Sequence, residues 1–295
     1  MTDPLLHKLF PVAVNSNIKV IKDTDVVKVE NENICECKNS YVYNAIYNNE
    51  EALVIMFKHS HTGYKVLLDI SEKYNILQQK HEKNVLRIYA VFIDNSYINF
   101  KLPKISLIVE KCKPIRRLIL EKINLPFESK IDLILNALDS LILLYTYTKE
   151  PYKYINSSNF LINSDYDVKI VSHGLEIILS NPAFNTIKSS SYYSPKIIMN
   201  PFSKQTISDD IYSFGILMYE ILSYKIPFEN MKSRDIISCV ESNKIESILN
   251  ISSINCPDTL KNLIKKCVSI DPVIRPSFKE IYQNISIYKF NKKIE

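Results

Sequence analysis

The chain has 295 residues, 46% hydrophobic and 23% charged, the make-up of a globular protein with one large domain or two lobes. Its net charge of +5 is spread along the sequence and forms no basic face of the kind nucleic-acid binders concentrate. No apolar run approaches the roughly 18 residues of a membrane span. The start, MTDPLLHKLFPVAV, has Pro4 and no basic region ahead of an apolar core, so it does not read as a secretory signal.

The cysteines are Cys35, Cys37, Cys112, Cys239, Cys256 and Cys267. None forms a C-x-x-C pair and no His cluster accompanies them, so they read as reduced thiols packed as small hydrophobes, not as a zinc site. Glycine occurs only at Gly63, Gly174 and Gly215. A function that needs a Gly-rich phosphate cradle is thereby nearly excluded. Of 37 basic residues 32 are Lys, beside abundant Ile, Asn and Tyr, a bias of A/T-rich coding.

In chain order, short β-branched and aromatic runs at 26–29, 41–47, 52–57, 85–93 and 105–110 predict strands. Between them, residues 65–80 place Leu67, Ile70, Tyr74 and Leu77 on one helical stripe. After Pro114 the period lengthens. Residues 128–146 carry Ile131, Leu135, Leu138, Leu141, Ile142 and Tyr145 at helical spacing. Residues 210–222 are nearly all apolar and predict a buried central helix, and 259–267 and 278–285 predict amphipathic closing helices. The organisation expected is an extension (1–24), a β-rich lobe (25–112) and a helical lobe (113–295), together one α+β, bilobal domain.

Four ordered segments resemble a protein kinase domain. SDDIYSFGILMYEILSYKIPF (208–228) resembles the central helix of the kinase C-lobe, and IDPVIRPSFKEI (270–281) its Arg-bearing segment. INSSNFLI (155–162) resembles the catalytic loop, and YYSPK (192–196) the end of the activation segment. Tyr154 and Asn159 are spaced as Asp and Asn are in H-R-D-L-x-x-x-N, and 24 positions separate Ser172 from Lys196. Within kinases, NVLRIYAVFID (84–94), SLIVEKC (106–112) and SSNFLINSDYDVKI (157–170) resemble the mixed lineage kinase domain-like family, effectors of necroptosis. That family carries a helical killer domain ahead of its pseudokinase domain, where this chain has about 25 residues. With the coding bias, the resemblance implies a poxvirus-like viral homologue of the pseudokinase part.

Phosphoryl transfer rests on positioning and charge, so each motif position can be tested alone. The phosphate-loop counterpart, 32–45, has no Gly and adds Glu32 and Glu36. The strand Lys falls at Ile55, and Lys58, an odd three residues on, reads as exposed on the opposite face. The helix Glu falls at Lys73. Tyr152-Lys153-Tyr154 replaces H-R-D, and a phenol with a pKa near 10 cannot serve as base at neutral pH. Asn159 keeps the second-metal position but reads as bonding the loop backbone. Ser172-His173-Gly174 replaces D-F-G, leaving no carboxylate for magnesium. The expectation is no cofactor, no metal and no catalysis.

By the resemblance, Asp210 braces the catalytic loop. Arg275 loses its Glu partner to Lys196 and turns to Asp271 or solvent, leaving a less tethered activation segment. The family effector is recognised by receptor-interacting serine/threonine kinase three. The resemblance therefore implies a decoy, monomeric when free, in the host cytoplasm, that sequesters this kinase and blocks necroptosis. A viral pseudokinase regulating a different host or viral kinase is the alternative. Neither nucleic acid nor membrane insertion is expected. Phe202, in the turn Asn200-Pro201-Phe202, is the candidate docking residue, and Phe184 a second. Thr186, Ser189, Ser190 and Ser191 read as a solvated polar loop.

Overall fold

The structure, a computed structural model, describes residues 19–21, 27–28, 34–36, 40–59, 63, 83–94, 104–171, 191–242 and 244–292. The helix expected over 65–80 lies outside them. It is the α+β fold expected, with a β-sheet N-terminal region and a helical C-terminal region. The chain divides into two units, Met1–Lys113 with Leu161–Ala183, and Pro114–Phe160 with Phe184–Glu295. The division differs from the sequence expectation in assigning Leu161–Ala183 to the first unit.

The first unit is built on a sheet of seven strands among the described residues. They are β1 (Lys19–Ile21), β2 (Val27–Lys28), β3 (Cys35–Glu36), β4 (Ser40–Tyr47), β5 (Glu50–Phe57), β6 (Ile88–Asp94) and β7 (Lys104–Glu110). Their order is β1-β6-β7-β5-β4-β2, with β3 also on β4. The β4–β5 hairpin turns on Asn48 and Asn49, both with positive φ (51° and 65°), a twist-matched two-residue loop made without Gly. β1 falls within the expected extension and pairs parallel to β6, Lys19 opposite Ala90. The strand expected from residue 85 begins at Ile88, because Val85 instead makes an isolated parallel bridge to Ile170. One sheet face packs Ile21, Ala45, Tyr47, Ala52, Val54, Ala90 and Ile108. A second sheet of three strands contains β8 (Phe160–Ile162) and β9 (Val168–Ile170), which pair with each other, and the short strand Lys113–Pro114.

The second unit is helical. Its helices are α1 (Ile115–Leu120), α2 (Phe127–Thr148), α3 (Pro195–Met199), α4 (Ile207–Ser223), α5 (Ser233–Glu241), α6 (Ile245–Leu249), α7 (Asp258–Cys267) and α8 (Phe278–Lys292). α4 is buried at every position from 209 to 222 and packs against α2 and α7, as a helix apolar on nearly every side must. Phe278 joins three helices, stacking on Tyr145 of α2 and meeting Phe214 of α4 edge-on. Gly215 permits the close approach of α4 to α7, since a Cβ there would lie 2.6 Å from Cys267 Cβ. With so few glycines, the left-handed helix ends fall on Lys149, Tyr224 and Asn250 instead, each at some steric cost.

One sequence expectation needs correction here. By length and composition α2 is long and apolar enough to cross a membrane. The sparse polar residues inside it, which interrupt each apolar run, had hidden this. Nine of its residues are buried and it packs against α4 and α8, as a core helix does.

Candidate functional site

In the first unit lies Ile55, which the resemblance sets at the position of the phosphate-binding Lys. It is 0% exposed, set between Val42 of β4 and Leu107 of β7, and brings no charge. Lys58 lies just past the end of β5. Its Nζ is 2.7 Å from Glu36 Oε1 and 4.7 Å from the Tyr41 ring centroid. Tyr41 pairs with Met56, so the alternation puts it on the face opposite Ile55. Lys58 is thus not the solvated Lys expected from sequence. It is partly buried, and Glu36, which falls in the phosphate-loop counterpart, takes its charge. Among the described residues no group of three or more His, Cys, Asp or Glu could hold a metal ion. Lys73, Ser172 and Phe184, with His173, Gly174, Thr186, Ser189 and Ser190, lie outside the described residues.

In the second unit, the loop 151–159 is fastened to the N-terminal turn of α4. Asp210 accepts the Tyr152 N–H at 2.6 Å, the Lys153 N–H at 3.0 Å and the Tyr145 hydroxyl at 2.6 Å. Its carboxylate therefore braces the loop, as the family resemblance implies. Burial raises the Asp210 pKa to about 6, against the lowering effect of those three donors. Tyr152 is buried and meets Phe160 and Tyr154 edge-on. Tyr154, expected at the base position, is a half-exposed phenol.

Asn156 and Asn159 spend their amides on the loop itself. Asn156 Oδ1 accepts the N–H groups of Ser158 and Asn159, at 2.9 and 3.2 Å. Asn159 Nδ2 donates to the Tyr154 carbonyl at 2.8 Å. This is the geometry of a polar turn, with side chains replacing water as partners of the backbone.

The end of the activation segment is held differently from the sequence expectation. Ser194 Oγ donates to Asp209 Oδ1 at 2.6 Å, and Lys196 Nζ lies 3.4 Å from Asp209 Oδ2. Lys196 also donates to the Lys204 carbonyl at 2.7 Å. Arg275 donates to the carbonyls of Ser269 and Ser208, both at 2.9 Å, and lies over the Tyr212 ring. Its Nη1 is 3.9 Å from Asp209 Oδ1. Arg275 therefore does not turn to the Asp271 carboxylate, which instead accepts the Val273 N–H. Nor is the segment end left loose: Asp209, buried beside it, gathers two cations that would otherwise repel. Ser191, expected in a solvated loop, is buried.

A buried polar cluster has no counterpart in the sequence reading. Arg116 of α1 lies 3.0 Å from Glu220 of α4, and its Nε donates to Ser157 Oγ at 2.7 Å. Ser157 Oγ donates to Glu220 at 2.9 Å, and the Tyr192 hydroxyl also donates to Glu220. The Tyr192 carbonyl accepts from Ser213 at 2.7 Å. Loop, segment end and two helices meet on one ion pair. The signal was present in the sequence as charges set inside apolar runs, IRRLIL and ILMYEIL, which must find partners when buried. Just beyond, Phe202 is 99% exposed and Met199 53% exposed. Phe202 thus packs on none of the described residues of its own helical unit.

The sequence profile of the protein tyrosine and serine/threonine kinase family matches residues 29–285. The chain is 27% identical over 261 residues to mixed lineage kinase domain-like protein of Homo sapiens, covering 84% of this chain and 54% of that protein. It is 28% identical over 253 residues to the Mus musculus protein of that name, covering 81% and 52%. It is 34% identical over 173 residues to dual specificity protein kinase shkC of Dictyostelium discoideum, covering 55% and 32%. The chain spans about half the length of the two mixed lineage kinase domain-like proteins.

Proposed function

The chain belongs to the protein kinase family, and from that premise we propose that it is a catalytically inactive pseudokinase acting by capture. Its partner in this reading is host receptor-interacting serine/threonine kinase three, which it sequesters in the host cytoplasm, inhibiting necroptosis. The observation that carries the reading is Phe202. A fully exposed aromatic on a short turn is energetically idle in the free chain and is the kind of residue that anchors a protein interface.

Absence of turnover is supported by the way the loop spends its polar groups. Removing one preorganised electrostatic group costs roughly 10²–10³ in rate. Here Ile55 stands at the Lys position, Tyr154 at the base position, and Ser172 at the metal position. The carboxylates bonded to the loop, among the described residues, are already engaged: Asp210 by Tyr145 and the N–H groups of Tyr152 and Lys153, and Glu220 by Arg116, Ser157 and Tyr192. A polyanionic nucleotide would be desolvated without a compensating cation. Capture needs affinity alone. Similarity to proteins named mixed lineage kinase domain-like supports the choice of partner, and the Lys-rich coding bias supports a poxvirus-like origin.

The test is affinity purification of the tagged chain from cells committed to necroptosis. Recovery of the named kinase with suppressed death is the expected result. Recovery of another kinase in its place, with death unaffected, would replace this reading by the scaffold alternative.

A further inference from the structure

An exposed aromatic anchors well only where the turn beneath it is held before the partner arrives. Ordering a loop or a long side chain on binding subtracts from affinity. The turn bearing Phe202 is held by the chain's own groups. The Ser203 N–H donates to the Asn200 carbonyl at 2.9 Å. Lys196 reaches from α3 to the Lys204 carbonyl at 2.7 Å and to Asp209 Oδ2 at 3.4 Å. One side chain thus closes residues 196–209 into a loop, with Phe202 between its fastened ends. Asp209 is itself fixed, accepting the N–H and hydroxyl of Thr206 at 2.8 and 2.7 Å and the hydroxyl of Ser194.

Resting on the reading in which Phe202 docks on a kinase domain, we propose that Lys196 is a positioning residue. It preorganises the Phe202 turn by bridging Asp209 and the Lys204 carbonyl. The bridge is one-sided: the Lys196 side chain is 43% exposed, whereas that of Asp209 is 2% exposed. Removing the ammonium leaves Asp209 with Ser194, Thr206 and the nearby Arg275. The core stays intact while the turn is freed, so the role is separable from folding.

The experiment is a double-mutant cycle on the whole chain, read by biolayer interferometry against the kinase domain named above, with melting temperatures alongside. Lys196→Met weakens binding about three- to tenfold, the cost of ordering one or two side chains, with a melting temperature close to the parent's. Phe202→Ala weakens it more, and the double variant is no weaker than Phe202→Ala alone, because the bridge acts only through the ring. Lys196→Arg retains affinity.

Parent-like affinity of Lys196→Met beside a weakened Phe202→Ala would overturn the proposal. So would losses that multiply in the double variant, which would make Lys196 a contact in its own right. Unchanged binding by Phe202→Ala would instead remove the docking surface on which the proposal rests.

Discussion

Lys196 Nζ lies 3.4 Å from Asp209 Oδ2: the cation that the resemblance sets where the kinase pattern carries a Glu is met by a buried aspartate from α4. Arg275 approaches the same carboxylate from the other oxygen. Lys196, Arg275 and Ser194 thus meet on one buried carboxylate. Burial alone would raise the Asp209 pKa, but hydrogen bonds from Ser194 and Thr206, with Lys196, hold it below the usual carboxylate range. A carboxyl depressed in the fold stabilises above its unfolded pKa and loses that contribution as pH falls through the folded value. Asp209→Asn should cost about 2–3 kcal/mol in urea melts at pH 7, the scale of charged hydrogen bonds. The deficit should shrink on acidification below about pH 4.

Asp210, one residue on, behaves in the opposite sense. Its folded pKa of about 6 exceeds the unfolded value, so the fold binds that proton more tightly. Its contribution to stability is complete below about pH 4 and declines as pH rises through 6. Melts of the parent and of Asp210→Asn across this range should show the parent gaining relative stability as pH falls. Carbon-13 NMR of the Asp210 carboxyl should titrate near 6.

The Arg116–Glu220 pair is buried on both sides, so each charge depends on the other. Arg116→Met or Glu220→Leu alone should cost about 3–5 kcal/mol by stranding its partner. The double variant should cost less than the sum, because no charge is then left buried. Urea denaturation of the two single variants and the double variant measures this directly.

How much of this was legible in sequence depends on how local each feature is. The strands β4 and β5 and the helix α4 were readable because β-branched and aromatic runs and a nearly all-apolar run are properties of neighbours. Phe202 was flagged by its turn, but its exposure depends on what packs nearby, which spacing does not carry. The fate of Arg275 was misread because the pattern gave only the lost Glu. Its carbonyl partners at Ser208 and Ser269, and Asp209, are assembled by the fold. Arg116 and Glu220 are 104 positions apart, and only burial makes them a pair.

Nucleotide binding should be absent. Ile55 contributes no cation, and Lys58 is drawn to Glu36 on the other face. Any ligand of the native state raises its melting temperature. Magnesium with adenosine triphosphate at millimolar concentration should leave the melting curve unmoved, as followed by scanning fluorimetry.

The most direct measurement is a calorimetric titration of the purified chain with the kinase domain of receptor-interacting serine/threonine kinase three. Saturable one-to-one binding, unchanged by addition of magnesium and adenosine triphosphate and lost in Phe202→Ala, is what the capture account predicts. No heat of association at any concentration, or association that requires nucleotide bound to this chain, would contradict it.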